Sequence, residues 1–497
     1  MKRKKKATSP PLDKASLVSE QLARFQPLLS PDEFERLKPT LDQPLSPAIR
    51  VNPLKAQDDL TTSLQHRYGW QCSPVEFCKT GFRVDTQEGP ALSDTLEYRN
   101  GLYYIQEASS MLPVELFNLE NPQETLILDM AASPGGKTTH LVSRMLDKGL
   151  ILANDSSQGR IQALRIVLQH WGAENTAITR FPGESFGSWF PEVFDRVLID
   201  APCSMQGLRT TESHPARPVT PKESRQLAKR QAALLTSALQ AVRVGGEVVY
   251  STCTLAPEED EEVVQTVLKT FGSSITLLDA QKILPVPAPG IKTTNDEIFP
   301  ANMENTIRLW PHRYNTAGFF ASLFYKNDSF ETKLRPAPSH SMEKAGFVEL
   351  PLKDQKDFSL GFEEGYGFPL WDYLSDHRRT LIRRDDKIFV FPRMLLERFA
   401  DLPVQSAGLH LCNVSPEGII PTFEWATRFG HLCRTALLIL ENNQSSIWLE
   451  GKDLKEVKGT VKQPSPIRMV VDQNGQFIGR GKLVGGALKN LDYNRYR

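Results

Sequence analysis

Two cysteines stand where a sheet could bring them together. Asp200-Ala201-Pro202-Cys203 closes an apolar run at 196–200, and Ser251-Thr252-Cys253 closes another at 246–251. One cysteine alone is more often an inert packed thiol than a reagent. Two at the ends of neighbouring runs, one behind Asp-Ala-Pro, point instead to nucleophilic chemistry. Upstream, the run 125–130 passes straight into Ala131-Ala132-Ser133-Pro134-Gly135-Gly136-Lys137-Thr138 and then into a helical stretch. A glycine-rich turn at that junction lets a ligand approach the backbone beneath the helix N–H groups.

Two ligand classes compete for this turn. Gly136-Lys137-Thr138 fits the end of a phosphate loop, and 197–200 could pass for the acidic strand of an NTPase, but Ala131 stands where the first glycine belongs. Asn154-Asp155 favours a nucleoside, because Asp155 lies 20 residues after Gly135, where a carboxylate binds ribose hydroxyls in nucleotide-type α/β folds. Taken alone, Asp155 could equally cap the helix predicted over 159–171. Adenosine with a ribose clamp and no triphosphate cradle points to S-adenosylmethionine.

A thiol beside a methyl sulfonium suits one substrate position well. Carbon 5 of a pyrimidine is a poor nucleophile until a thiolate adds to carbon 6 and makes it enamine-like. The carbon 5 proton must then leave and the thiol be eliminated, which needs a second group. A carboxylate on the ring's amidine edge selects cytosine and stabilises the adduct. Asp200 is placed for that role.

The elements that must position these residues alternate. Short apolar runs at 125–130, 150–154, 177–180, 196–200 and 246–251 are separated by helical stretches at 138–146, 159–171 and 221–242. This predicts an α/β fold with a doubly wound, mostly parallel, Rossmann-like sheet and ligands outside the strand carboxyl ends. Leu17, Leu22, Phe25 and Leu28 recur at helical spacing and predict an N-terminal helical extension. Pro257–Phe271 reads as a helix whose acidic first turn suits the dipole rather than a ligand. Residues 284–290 read as a rigid proline loop and 307–326 as a hairpin closing the sheet. The expected units are 1–120, 121–326, a polar linker at 327–344, and a β-rich module at 345–497. That module has strand signals at 388–391, 409–414, 436–440, 447–450 and 467–471, and a hairpin signal at Asn474-Gly475.

Composition narrows the class. At ~150 residues per domain, 497 residues suggest three domains. Hydrophobic residues at 40% and charged residues at 24% exclude a disordered or collagen-like chain. Lys and Arg total 59, as do Asp and Glu, which argues against a histone-like binder but permits a local basic groove. Six cysteines without a CxxC argue against a disulfide framework or zinc ribbon, and no metal site is expected. The basic start Lys2–Lys6 leads into polar residues rather than a signal sequence, and no apolar window suits a membrane span. A soluble, cytoplasmic, monomeric protein is expected.

Several separated motifs together resemble one family. They are Arg50-Val51-Asn52-Pro53, Gln106-Glu107-Ala108-Ser109-Ser110, the 131–138 turn, DAPCS at 200–204, STCT at 251–254, Arg308-Leu309-Trp310-Pro311-His312, and Asn315-Thr316-Ala317-Gly318-Phe319-Phe320. Over about 45–326 the chain resembles the RNA 5-methylcytosine methyltransferases of the NOL1/NOP2/Sun (RsmB/NOP) type. Its long C-terminal module and NLDYNRYR ending are most similar to bacterial members acting on a decoding-region cytosine of 16S rRNA. The resemblance implies that Cys253 is the nucleophile and that Cys203 assists breakdown of the adduct. It implies that Ala131, Ala132, Ser133, Pro134, Gly135, Gly136, Lys137, Asp155 and Asp200 contact or surround S-adenosylmethionine. It implies 16S rRNA, in the small subunit or an assembly intermediate, as partner, and a PUA-like C-terminal appendage. One departure is Arg180-Phe181-Pro182-Gly183, where the family commonly has an acidic residue near the adenine; Glu184 is the nearest substitute.

A target cytosine must be flipped from its stack and the RNA backbone held electrostatically. Candidate phosphate contacts are Arg209, Arg225, Lys229, Arg230, Arg378, Arg379, Arg383, Arg384, Arg480, Lys482, Lys489, Arg495 and Arg497. Alternatives are an RNA-dependent NTPase or assembly factor, and a non-catalytic RNA-binding protein.

Overall fold

Strands buried on both faces by crossover helices need apolar side chains in both directions, and the central runs meet that need. The computed structural model describes residues 14–493 except 57–58, 88, 210–216, 417, 456 and 458–464; Lys2–Lys6, Arg495 and Arg497 lie outside the described residues. Helices Lys14–Phe25 and Pro31–Leu41 open the fold. The N-terminal region is not only helical, as expected from its spacing. Strands β1 (Ala48–Val51), β2 (Gln71–Val75), β3 (Cys78–Asp85) and β4 (Tyr103–Ile105) form an antiparallel sheet in the order β2-β3-β1-β4. Arg50 is fully buried in β1 and Pro74 interrupts β2, so neither segment shows an apolar alternation.

The central sheet contains β5 (Leu126–Asp129), β6 (Leu150–Asn154), β7 (Thr176–Thr179), β8 (Phe194–Asp200), β9 (Val242–Thr252), β10 (Ile275–Leu278), β11 (Ile307–Leu309) and β12 (Phe319–Lys326). Its order is β10-β12-β9-β8-β5-β6-β7, with Ser406–Ala407 added antiparallel to β7 and β11 paired to β12. β5 to β9 pair in parallel, whereas β12 is antiparallel to β9, β10 and β11. The chain winds outward one way through β6 and β7 and the other way through β8 and β9. The switch therefore falls between β5 and β8, where such sheets open a ligand crevice.

Helices Gly136–Arg144, Gln158–Trp171 and Pro221–Ala241 connect the strands. The segment after β9 corrects the predicted acidic helix start. A short 3₁₀ turn, Pro257–Glu259, precedes the helix Glu261–Phe271, and Glu259, Asp260 and Glu261 are fully buried rather than solvated. Residues 327–344 form neither helix nor strand, yet Arg335 N donates to Ser188 O and His340 N to Asp401 O.

Beyond residue 345 lie two sheets. One comprises Val348–Glu349, Arg379–Arg384, Lys387–Pro392, Leu409–Ser415 and Gly418–Pro421; the other comprises Leu437–Ile439, Ile467–Val471, Phe477–Val484 and Ala487–Asn490. Asn474-Gly475 turns between Ile467–Val471 and Phe477–Val484, as its type predicts. The strand expected at 447–450 is instead the end of helix Asn442–Leu449, started by a capping box between Glu441 and Gln444. Among the described residues no helix is long and apolar enough to cross a membrane.

Buried ion pairs join this C-terminal region to the central domain. Arg428 Nη1 lies 2.6 Å from Asp147 Oδ2, and Arg379 Nε lies 3.2 Å from Glu174 Oε2. Removing one partner of a buried pair strands the other charge. Arg428→Ala is therefore expected to cost about 3–5 kcal/mol, and Arg378→Ala, which breaks an exposed pair with Glu124, at most ~1 kcal/mol. Denaturant unfolding of the two variants checks this; equal losses would contradict it.

Candidate active site

β8 and β9 run in the register that sets Asp200 opposite Ser251. Ser251 Oγ donates to Asp200 Oδ1 at 3.2 Å, so the two strand ends are tied before their loops diverge. Those loops bring Cys203 Sγ to 3.2 Å from Cys253 Sγ, and both half-buried thiols are free. The contact is a hydrogen bond rather than a disulfide, whose sulfurs lie ~2.05 Å apart. Its effect, followed by burial, pushes the Cys203 thiol well above the ordinary range. That shift favours the protonated form of Cys203 beside Cys253.

The loop 315–318 packs against the segments that follow the two cysteines. Gly318 N donates to Gly207 O at 2.8 Å, and a Cβ on Gly318 would lie 2.5 Å from Leu255 Cδ1. Glu107, in the QEASS motif, accepts from Ala317 N at 3.1 Å and from Ser109 N at 2.9 Å. Two of the family-like motifs are therefore one piece of scaffold.

The 131–137 turn leaves β5 beside this site. Ala132 N donates to Asn154 O at 2.8 Å, and Arg160 Nη2 donates to Ser133 O at 2.9 Å. Pro134 is exposed and Ala131 half-buried. Gly135 has φ +118°, and a Cβ there would meet Val167 Cγ1 at 2.8 Å, so glycine is required twice over. Arg50 Nη2 donates to Gly136 O at 3.0 Å, fixing the first helical carbonyl from behind. Lys137 does not project into an open phosphate cradle; its Nζ donates to Asp200 Oδ2 at 2.6 Å.

Three carboxylates surround the turn. Asp200 is half-buried between Lys137 and Ser251. Asp155 is buried; Oδ1 accepts from Ser157 N at 2.8 Å, and Arg160 Nη2 lies 3.2 Å from Oδ2 without hydrogen-bond geometry. That leaves a buried acceptor of the kind a ribose hydroxyl satisfies, so the residues fit an adenosyl ligand. Asp129 is buried with Oδ1 unpartnered and Oδ2 accepting from Thr138 Oγ1 at 2.6 Å. Burial, against the Thr138 bond and with the charge of Asp200 adding, holds its carboxyl up to about 7.

Several other candidates are engaged within the protein. Glu184 is engaged with Arg230 Nε at 2.9 Å on the surface, which occupies both a suggested adenine contact and a suggested phosphate contact. Arg209 is buried on Asn315 Oδ1, Gln43 O and Pro44 O, and Arg379 on Glu174. Arg480 is held by Asp492, Arg378 by Glu124 and Lys489 by Asp453. Arg225, Lys229, Arg383 and Arg384 are exposed. Cys78, Glu115 and His140 approach metal-ligand distances, but Glu115 is paired to Arg144 at 2.6 Å. Sequence reasoning gave no role to Asp129 or to Ser251, whose tie to Asp200 depends on the pairing of β8 with β9.

Comparisons with known proteins decide the family. Residues 116–325 match the 16S rRNA methyltransferase RsmB/F family, and 17–108 match the N-terminal domain of 16S rRNA methyltransferase RsmF. The chain is 32% identical to ribosomal RNA small subunit methyltransferase F of Klebsiella pneumoniae (strain 342), over 96% of this chain and 94% of that protein. It is also 32% identical to the protein of that name from Aeromonas salmonicida (strain A449), over 93% and 92%. The chain belongs to the RsmB/F family. A methyltransferase homolog from Pyrococcus horikoshii superposes with TM-score 0.52 at 31% identity, covering 64% of this chain and all of that one. This RsmB/F member is therefore an S-adenosylmethionine-dependent methyltransferase.

Asp129 gives the domain a pH signature. The folded protein holds this proton above the pH at which the unfolded chain releases it, so stability falls as pH rises from about 4 to about 7 and then levels. Asp129→Asn removes that slope, and its stability relative to the parent is expected to grow across the window by a few kcal/mol, at ~1.4 kcal/mol per unit. Thermal midpoints against pH, without methyl donor, check it; parallel curves would contradict it.

Proposed function

We propose that the chain methylates carbon 5 of a cytosine in 16S rRNA through a transient bond between Cys253 Sγ and carbon 6. The observation that carries this reading is the 3.2 Å contact of two free thiols on the rim beside the donor's glycine turn. Methylation of an amine or hydroxyl would need neither sulfur.

The turn from Ala131 to Lys137 and the Asp155 carboxylate would hold S-adenosylmethionine, which supplies an electrophilic methyl group. The Cys253 thiolate adds to carbon 6 and moves electron density onto carbon 5, which then accepts the methyl. Asp200, exchanging its Lys137 contact, accepts a hydrogen bond from the ring's exocyclic amino group, which uracil lacks, and so favours cytosine. Carbon 5 then gives up its proton to water as the bond from carbon 6 to sulfur breaks and the ring regains aromaticity, so the two sulfurs end the cycle sharing the one proton they began with. Cys203, still protonated and 3.2 Å from that sulfur, is placed to protonate it as it leaves.

The target must be everted from its stack. The regions before residue 121 and after residue 344 flank the catalytic domain and would grip the RNA, 327–344 joining the second of them. Of the candidate phosphate contacts, Arg225 and Lys229, exposed on helix Pro221–Ala241, are those left nearest the cysteine loop in sequence. We take the substrate to be the small subunit or an assembly intermediate in the cytoplasm, met by a monomer.

Cys253→Ala is expected to lower methyl transfer to 16S rRNA by roughly 10⁴-fold or more, while tritiated S-adenosylmethionine still binds. Cys203→Ala is expected to accumulate an RNA–protein species stable to denaturing electrophoresis, absent from the Cys203→Ala/Cys253→Ala double variant. Full activity of Cys253→Ala would refute the adduct.

A further inference from the structure

Pro257-Glu258-Glu259-Asp260-Glu261 begins four residues after Cys253, and Glu259, Asp260 and Glu261 are each 0% exposed. Adjacent buried carboxylates are costly unless each finds close partners. Two of these find theirs on the cysteine loops. Glu259 Oε2 accepts from Ser204 N at 2.9 Å and from Gln231 Nε2 at 3.0 Å, and Gln231 Nε2 also donates to Pro202 O at 2.9 Å. The residues on either side of Cys203 are thus tied to one carboxylate, directly or through one amide. Asp260 Oδ1 accepts from Thr252 Oγ1 at 2.6 Å, gripping the residue before Cys253.

Arg308, also 0% exposed, closes the arrangement from β11. It donates to Glu261 Oε1 at 2.8 Å, to Asp260 Oδ2 at 3.3 Å and to Leu255 O at 2.9 Å, the last lying two residues beyond Cys253. Each sulfur is therefore held through its own neighbours by a separate carboxylate, and the two carboxylates are consecutive in one turn. Both carboxylates are buried and turned onto neighbours of the cysteines, Glu259 onto Ser204 and Asp260 onto Thr252, so their hold on the sulfurs runs through those residues.

We infer that Glu259 and Asp260 are positioning residues that aim the two sulfurs separately, Asp260 through Thr252 for attack by Cys253 and Glu259 through the Cys203 loop for release. This rests on the covalent reading above. It predicts opposite consequences for the adduct, which general loosening of the domain would not produce. A misplacement of ~1 Å can cost ~10²-fold.

Thr252→Val removes the hydroxyl at nearly constant shape and leaves the Arg308 cluster intact. It is expected to slow adduct formation by ~10–100-fold without accumulating the covalent species. Glu259→Ala is expected to accumulate that species as Cys203→Ala does, and Glu259→Gln, which can still accept from Ser204 N, to restore release. Binding of tritiated S-adenosylmethionine reports that each variant is folded, and denaturing electrophoresis with 16S rRNA reads the partition. If Cys203→Ala itself traps nothing, the covalent reading fails. If Cys203→Ala traps the species but folded Glu259→Ala does not, or Thr252→Val forms it at the parental rate, the positioning roles are overturned. Should Glu259→Ala fail to bind the donor, the Thr252→Val rate decides alone.

Discussion

Parallel pairing of β8 with β9, with Asp200 opposite Ser251, is the constraint on which the site depends. Each strand ends its ladder at the same edge, so the three residues after Asp200 and the two after Ser251 must share one small space. The sulfurs meet at 3.2 Å for that reason. Side chains alternate along a strand, so a one-residue slip would turn Asp200 away from the crevice. Every residue of β5, β6 and β7 is buried, and so are most of those in β8 and β9.

Around that ladder the molecule concentrates buried charge. Asp129, Glu259, Asp260, Glu261 and Arg308 lie in the interior, where water cannot screen them. Such groups stabilise little by themselves, because desolvation offsets their attraction. What they supply is direction, since each has a small set of partners at fixed angles. Burial drives the Asp260 carboxyl well above its usual range, with Arg308 opposing, so this turn depends on its hydrogen bonds as much as on charge. The family-like motifs at 106–110 and 315–320 serve the same end, holding the roof of the site through Glu107 and Ala317.

The central sheet was legible because strands covered on both faces must be apolar throughout, and 150–154 and 196–200 stand out from their helical surroundings. Strand ends then located the glycine turn, Asp155, Asp200 and both cysteines without coordinates. The antiparallel N-terminal sheet was not legible, because Arg50 and Pro74 obscure its alternation. Ile447-Trp448-Leu449 has strand-forming residues, but a capping box three residues wide decides for helix. The acidic run 258–262 shows the same limit: composition marks a helix start, but the burial of 259–261 depends on Ser204, Gln231, Thr252 and Arg308, which the chain brings from elsewhere. Two candidate phosphate contacts are buried for the same reason, since Arg209 and Arg379 meet partners more than 100 residues away in sequence.

The account rests on which sulfur bonds to the ring. RNA carrying 5-fluorocytidine offers the most direct measurement, because fluorine at carbon 5 cannot leave as a proton does and the adduct stalls after methyl transfer. Digestion of the trapped complex and peptide mass spectrometry would place the nucleotide. The account predicts a methylated fluoropyrimidine on the peptide containing Cys253 in the parental protein. Attachment to Cys203, or methylated RNA with no attachment to either sulfur, would contradict it.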